Sequence, residues 1–381
     1  MNKKKYVNRN YLTTTRIIAL GFLITVIVGT ILLSLPIASA NGTWTDLLTA
    51  AFTSTTSVCV TGLVVVDTFS YWSLFGKGVI LILIQIGGLG IVSIITLFML
   101  LFRMKITLKS TMLLQDAFNL NSKQGLLKFT IKVIKGTFLI EGIGAFIYSF
   151  YYCREYGLLK GIWFSVFHAV SAFCNAGLDI MGADSLIPYH SNLLMMLNTS
   201  FLIIMGGIGF IVWWDTVEAF RRIRTKKCSI RSAWNGVHLQ TKIAIFMTLL
   251  LLIGGTVVIY FLERSNPDTL GNLSEKDRIL NAFFQSVTLR TAGFAAVPQA
   301  ALRPVTAFFG ALLMMIGGSP VGTAGGMKTV TIAVIFFTFA AKVLSAFEPA
   351  KYPAYALAIF AFTTATFASE VASFAFTASV V

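Results

Sequence analysis

Charge, histidine and cysteine are all scarce in this chain of 381 residues. Charged residues make up 12% of it, against about 25% in ordinary globular domains, which excludes a soluble multidomain protein. The three histidines and four cysteines (Cys59, Cys153, Cys174 and Cys228) form no CxxC pair and no His–Cys group. Zinc binding and thiol redox chemistry are therefore disfavoured. Acids number 15 against 30 bases, and no paired Asp, Ser/His dyad or HExxH lies in an apolar run. An enzyme acting within a membrane is disfavoured on that ground, and no catalytic residue is assigned.

Apolar sequence is what abounds, at 56%. Charge-free runs occupy 17–35, 78–102, 191–214 and 243–262. Each reaches the roughly 18 residues that a membrane-spanning helix needs. Less clean candidates are 136–153, interrupted by Glu141, and 304–341, interrupted by Lys328. The fold class expected is an all-α polytopic membrane protein.

The surplus of bases reads as membrane topology. Five Lys/Arg fall in residues 1–16, seven in 103–135 and seven in 221–242, whereas 37–77, 154–190 and 263–303 hold one, two and five. The two sets alternate along the chain, placing the N-terminus in the cytoplasm and the basic loops against anionic lipid, with no nucleic acid involved. Nine acids fall in the other set (Asp46, Asp67, Glu155, Asp179, Asp184, Glu263, Asp268, Glu275 and Asp277), leaving an outer face that suits cations. Residues 17–40, ending in "ASA", have the outline of a signal peptide, but the repeat described next needs this helix.

Three segments match column by column: "SVCVTGL" (57–63), "AFCNAGL" (172–178) and "TLRTAGF" (288–294). Their glycines, Gly62, Gly177 and Gly293, are 115 and 116 residues apart. Each follows a short apolar segment, "TDLLTAAFTSTT", "KGIWFSVFHAVS" or "EKDRILNAFFQS", the first and third opening on cap patterns, Thr43–Asp46 and Ser274–Asp277. Each is followed by "IGGLG" (86–90), "MGGIG" (205–209) or "IGGSP" (316–320), where tight helix packing explains the glycines at least as well as an ionic role. One unit is thus span, half-span, hairpin, span. Irregular backbone at membrane depth survives only where protein or a water-filled cavity satisfies it. A short helix with a Gly-bearing return aims carbonyls and its negative dipole end inward, where they can replace water around a cation.

Together with "IGGSPVGTAGGMKT" (316–329), these motifs resemble the Trk/Ktr/HKT superfamily of potassium transporters, most of all the bacterial Ktr-type membrane subunit. The resemblance implies M1–P–M2 repeats, as in potassium channels, around one pseudo-fourfold pore. Residues 1–15 would form a cytoplasmic tail, with repeats at 16–105, 106–225 and 226–342. The selectivity filter would use the backbone of Val58, Cys59, Val60, Thr61 and Gly62; of Phe173, Cys174, Asn175, Ala176 and Gly177; and of Leu289, Arg290, Thr291, Ala292 and Gly293. In related transporters, Ser at the first filter glycine goes with sodium transport, which puts Gly62 on the potassium side. Whether flux also depends on sodium stays open.

The family's intramembrane gate loop maps to Gly317, Gly318, Ser319, Pro320, Gly322, Gly325, Gly326 and Lys328. Five glycines and a proline there would split the run into half-length helices at 304–316 and 329–341. The resemblance further implies a homodimer and a cytoplasmic nucleotide-binding regulatory subunit, so that nucleotide acts only through a partner. The transported K+ is the only metal. "GTAGGMKT" itself is no Walker A loop, because Met327 separates Gly326 from Lys328.

Among the remaining polar residues, Glu141 is expected in a buried pairing, Arg290 behind the filter, and Asn175 holding its hairpin. Asp215 and Glu218 are expected in salt bridges with Arg221 and Arg222. By the period of the repeat a fourth glycine is due near residue 409, while the sequence runs to Val381. Residues 343–381 are therefore expected to be a partial or altered start of a fourth repeat. On that expectation residues 1–381 alone leave a four-sided pore open. The alternative reading is a truncated remnant or a membrane scaffold.

Overall fold

The computed structural model describes residues 14–90, 93, 94, 96, 97, 126–182, 184–226 and 228–347. Most of the expected tail (1–13) and most of the partial fourth repeat (348–381) lie outside the described residues. Among the described residues the regular structure is helical, with two isolated β-bridges. Three helical groups follow one another. The first holds α1 (Thr14–Ser34), α2 (Leu47–Val58), α3 (Thr68–Tyr71) and α4 (Leu74–Leu89). The second holds α5 (Leu126–Tyr156), α6 (Leu158–Phe173), α7 (Leu193–Gly207), α8 (Phe210–Lys226) and α9 (Ile230–Asn235). The third holds α10 (Leu239–Glu263), α11 (Glu275–Thr288), α12 (Pro304–Met315) and α13 (Thr329–Phe347).

The long first helix of each group, α1, α5 or α10, is apolar enough to cross a membrane. Its outer side exposes leucine and isoleucine, as at Leu23, Ile24 and Ile31 on α1 and Leu250 and Ile253 on α10. A surface this apolar is stable against lipid and not against water. The short second helix is another matter. At about 1.5 Å per residue, α2, α6 and α11 reach roughly 18 to 24 Å, less than the roughly 30 Å of a hydrocarbon core. Within each group the long helix packs on the short one, and α4 also meets α6 while α7 meets α11. Small residues bring the long and short helices together. Ser54 Oγ donates to the Val26 carbonyl at 2.8 Å beside Gly29, and Ser286 Oγ to that of Leu252 at 3.0 Å beside Gly255.

Local signals explain most helix ends, with two corrections. Ser274 caps α11 as its pattern suggests, accepting from the Asp277 N–H at 3.3 Å. The cap of α2, however, is Asp46 itself, accepting from Leu48 N at 3.1 Å and Thr49 N at 3.3 Å, so the box does not begin at Thr43. A carboxylate placed directly before the first turn satisfies its free N–H groups, leaving no role for a hydroxyl three residues earlier. The second correction is the run 191–214, which is not one straight span. It bends by 99° between α7 and α8. Gly209 takes φ 95 at the break, and a Cβ there would lie 2.5 Å from the Pro320 carbonyl oxygen. The glycine-rich loop 316–328 occupies the space a continued helix would need.

Glu263 closes the C-terminal end of α10. It is fully buried and accepts from Asn266 Nδ2 at 2.7 Å, Thr269 Oγ1 at 2.6 Å, the Arg303 N–H at 3.0 Å and the Thr306 hydroxyl. Four donors offset the cost of burying a carboxylate, and they tie α10 to the start of α12.

Candidate functional site

The three short helices end alike. After α2, α6 and α11 the backbone keeps a right-handed residue, Cys59, Cys174 or Leu289. It then turns left-handed at Val60 (φ 55), Asn175 (φ 58) and Thr291 (φ 64), and again two residues later at Gly62 (φ 80), Gly177 (φ 62) and Gly293 (φ 87). Positive φ at a β-branched residue is a genuine outlier, costing about 1–3 kcal/mol, and here it recurs at the matching position of two repeats. Left-handed residues at every second position turn alternate peptide planes over, which lets successive carbonyls line one side of the strand.

The returns meet at their glycines. A Cβ on Gly62 would stand 2.7 Å from the Ala176 carbonyl oxygen, and one on Gly177 would stand 2.7 Å from both the Ala292 oxygen and the Gly293 Cα. No side chain fits, so backbone faces backbone. Each return is also tied to its own helix. The Leu63 N–H donates to Thr56 Oγ1 at 3.0 Å, Ser171 Oγ to the Leu178 carbonyl at 2.5 Å and Thr288 Oγ1 to that of Phe294 at 2.7 Å.

The glycine pairs of α4 and α7 support this assembly from behind. A Cβ on Gly87 would lie 2.1 Å from the Val58 carbonyl oxygen, and one on Gly206 would lie 1.8 Å from that of Phe173. The matching pair after α12, Gly317 and Gly318, belongs instead to the loop. There the expected interruption of 304–341 is present, between Met315 and Thr329. The loop is closed by Met327 N to Met315 O at 2.9 Å and Gly317 N to Met327 O at 3.1 Å. It docks on the end of α7 through Ser319 N to Gly207 O at 2.7 Å, Thr323 N to Gly206 O at 3.0 Å and Phe210 N to Val321 O at 2.9 Å.

The loop also reaches the returns directly. Thr323 Oγ1 donates to the Phe173 carbonyl at 2.9 Å, the Gly325 N–H to Thr291 Oγ1 at 3.0 Å, and Arg290 Nη2 to the Gly317 carbonyl at 3.3 Å. Arg290, 5% exposed, is buried against the loop. Lys328 Nζ donates to the Ala324 carbonyl at 2.8 Å. The Asn175 amide, with its NH2 turned towards α7, donates to the carbonyls of Phe173 and Ile203 at 3.3 Å each.

All fifteen residues of the three returns and all of the loop positions singled out from the sequence thus fall in one assembly. Thr323, which bridges loop and return, was not among them, since a single threonine 150 residues from its partner leaves no local signal. Asp215 differs from expectation. It pairs with His238 Nδ1 at 2.9 Å and Thr241 Oγ1 at 2.6 Å, while Glu218 alone meets Arg221 and Arg222. Lying nearly two turns before the arginines, it joins the first half of α8 to the start of α10.

A family model described as TrkH, cation transport protein, matches residues 3–360. The chain belongs to the TrkH cation transport family. As a member of that family it is a multi-pass membrane protein and the pore subunit of a cation transporter. It is 39% identical over 327 residues to the potassium/sodium uptake protein NtpJ of Enterococcus hirae, covering 86% of this chain and 69% of that protein. It is 38% identical over 336 residues to the Ktr system potassium uptake protein B of Bacillus subtilis, covering 88% and 72%. The TrkH fold itself is shared with the crystal structure of the potassium transporter TrkH from Vibrio parahaemolyticus. The TM-score is 0.66 at 15% identity, over 95% of this chain and 71% of that one.

Proposed function

We propose that this TrkH-family chain carries potassium through a pore of M1–P–M2 repeats at 16–105, 106–225 and 226–342, with residues 343–381 beginning a fourth. Ions are selected by the backbone of Val58–Gly62, Phe173–Gly177 and Leu289–Gly293, and the loop from Gly317 to Lys328 is the gate. The observation that carries this reading is the recurrence, at the ends of three short helices, of a left-handed residue and a glycine whose backbones touch. Carbonyl dipoles held this way can take the place of a cation's hydration shell without a chemical step. The membrane potential, at about 2.3 kcal/mol per charge per 100 mV, drives influx across the cell membrane, with the N-terminus in the cytoplasm. A cytoplasmic nucleotide-binding subunit regulates a homodimer. The potassium named for the Enterococcus and Bacillus relatives supports the choice of ion.

The test is rubidium uptake by the full-length protein in a host lacking its own potassium uptake. Saturable uptake inhibited by potassium more than by sodium is expected, and uptake indifferent to both would overturn the reading. The gate is tested in the same assay. Thr323→Val removes the hydroxyl that holds the loop to Phe173, and maximal uptake should rise about threefold with KM unchanged, the effect of one hydrogen bond on a closed state. An unchanged or lower maximal rate would count against a gating role.

A further inference from the structure

Glu141 lies midway along α5, in the membrane-spanning part of the second group, and is 4% exposed. No ion pair involving it occurs among the described residues. Its partner is Gln85 of α4, whose Nε2 lies 3.1 Å from one carboxyl oxygen and 3.3 Å from the other. The far side of the same amide faces the second strand. Cys174 Sγ lies 3.9 Å from Gln85 Oε1, within reach of a sulfur hydrogen bond. One turn further along α4, Gly88 leaves room for that thiol, since a Cβ there would stand 2.4 Å from Sγ. Gln85 and Gly88 together therefore grip Cys174, the buried second residue of the return Phe173–Gly177.

An amide has two ends, and something must decide which one faces the strand. The carboxyl group does so. Both of its oxygens lie within hydrogen-bonding distance of Gln85 Nε2, so the NH2 of Gln85 faces it and the amide oxygen is left for the Cys174 thiol. We propose that Glu141 is a positioning residue of the ion path. By orienting Gln85 it fixes the back of the second filter strand, and through it the ion affinity of the filter. At the matching positions of the other two returns, Cys59 is exposed where Cys174 is buried, and Arg290 is held by the loop. Among the described residues the relay from Glu141 through Gln85 ends at the second strand. This rests on the proposed role of the returns as filter strands.

Rubidium uptake by the full-length protein tests the relay through a mutant cycle. Glu141→Gln lets Gln85 turn over, and KM should rise about threefold, the effect of one lost hydrogen bond, while the maximal rate per protein at the membrane changes less. Cys174→Ala should give the same rise, and Cys174→Ser, which still donates, should give a smaller one. Glu141→Gln combined with Cys174→Ala should be no worse than either alone, because both cut one chain of contacts. Additive effects, or Cys174→Ala matching wild type, would overturn the proposal. If Glu141→Gln does not reach the membrane, the contrast between Ala and Ser at Cys174 still decides. Failure of the wild type to saturate with rubidium would count against the transport reading itself, whereas an unaltered Cys174→Ala in a saturable wild type would count against the relay alone.

Discussion

Gly177→Ala is expected to reduce cation uptake about a hundredfold or more with the protein still inserted in the membrane. Two effects add at this position. An alanine must adopt φ 62, and its methyl group must enter space 2.7 Å from the Ala292 oxygen and the Gly293 Cα. Left-handed backbone costs an L-residue about 1–2 kcal/mol and overpacking about 1–3 kcal/mol, so the sum reaches the roughly 2.8 kcal/mol that separates rates a hundredfold. The neighbouring atoms are main chain on an adjoining return, so the clash is relieved only by moving that return. Gly42→Ala is the control, because Gly42 also has positive φ (68) but nothing within 4 Å of a Cβ. It should leave uptake near wild type. The comparison of rubidium uptake per protein at the membrane separates the cost of strain from the cost of disturbing the ion path.

Gly206→Ala is the second substitution with a large expected effect. Its Cβ would lie 1.8 Å from the Phe173 oxygen and 2.6 Å from Thr323 Oγ1, at the point where α7, the second return and the loop meet. The carbonyl belongs to the first residue of the second return and cannot yield without moving that return, and the threonine cannot yield without giving up its bond to that carbonyl. Uptake should fall at least about tenfold and the melting temperature by several degrees, as overpacking of about 1–3 kcal/mol implies. Gly254→Ala, with nothing within 4 Å of its Cβ, should do neither. Fluorescence-detected melting of the purified protein, together with uptake, reads both effects.

What could be read from sequence here was what repeats or what is local. Gly62, Gly177 and Gly293 recur at nearly constant spacing, so their shared role was legible without knowing what they touch. The break in 304–341 was legible too, because five glycines and a proline cannot continue a helix. The bend after Gly207 was not. The run 191–214 is free of charge throughout, and what bends it is a loop more than a hundred residues away in sequence. Glu141 shows the same limit. Its isolation in an apolar run announced a buried partner, yet nothing near it pointed to Gln85, 56 residues earlier, or beyond that to Cys174. Hydropathy and periodicity report on a residue's own helix, whereas a site built where three groups meet is defined by contacts between them. The Asp46 cap is a smaller instance, since two candidate acceptors stand three residues apart and only the position of the first turn chooses between them.

The central claim is that the backbone around Gly62, Gly177 and Gly293 holds the transported ion. The most direct test is anomalous diffraction from crystals of the full-length protein grown in rubidium. A rubidium peak among the carbonyls of Val58–Gly62, Phe173–Gly177 and Leu289–Gly293, lost when sodium replaces rubidium, is the result predicted. Rubidium bound at saturating concentration with no peak among those carbonyls would contradict it.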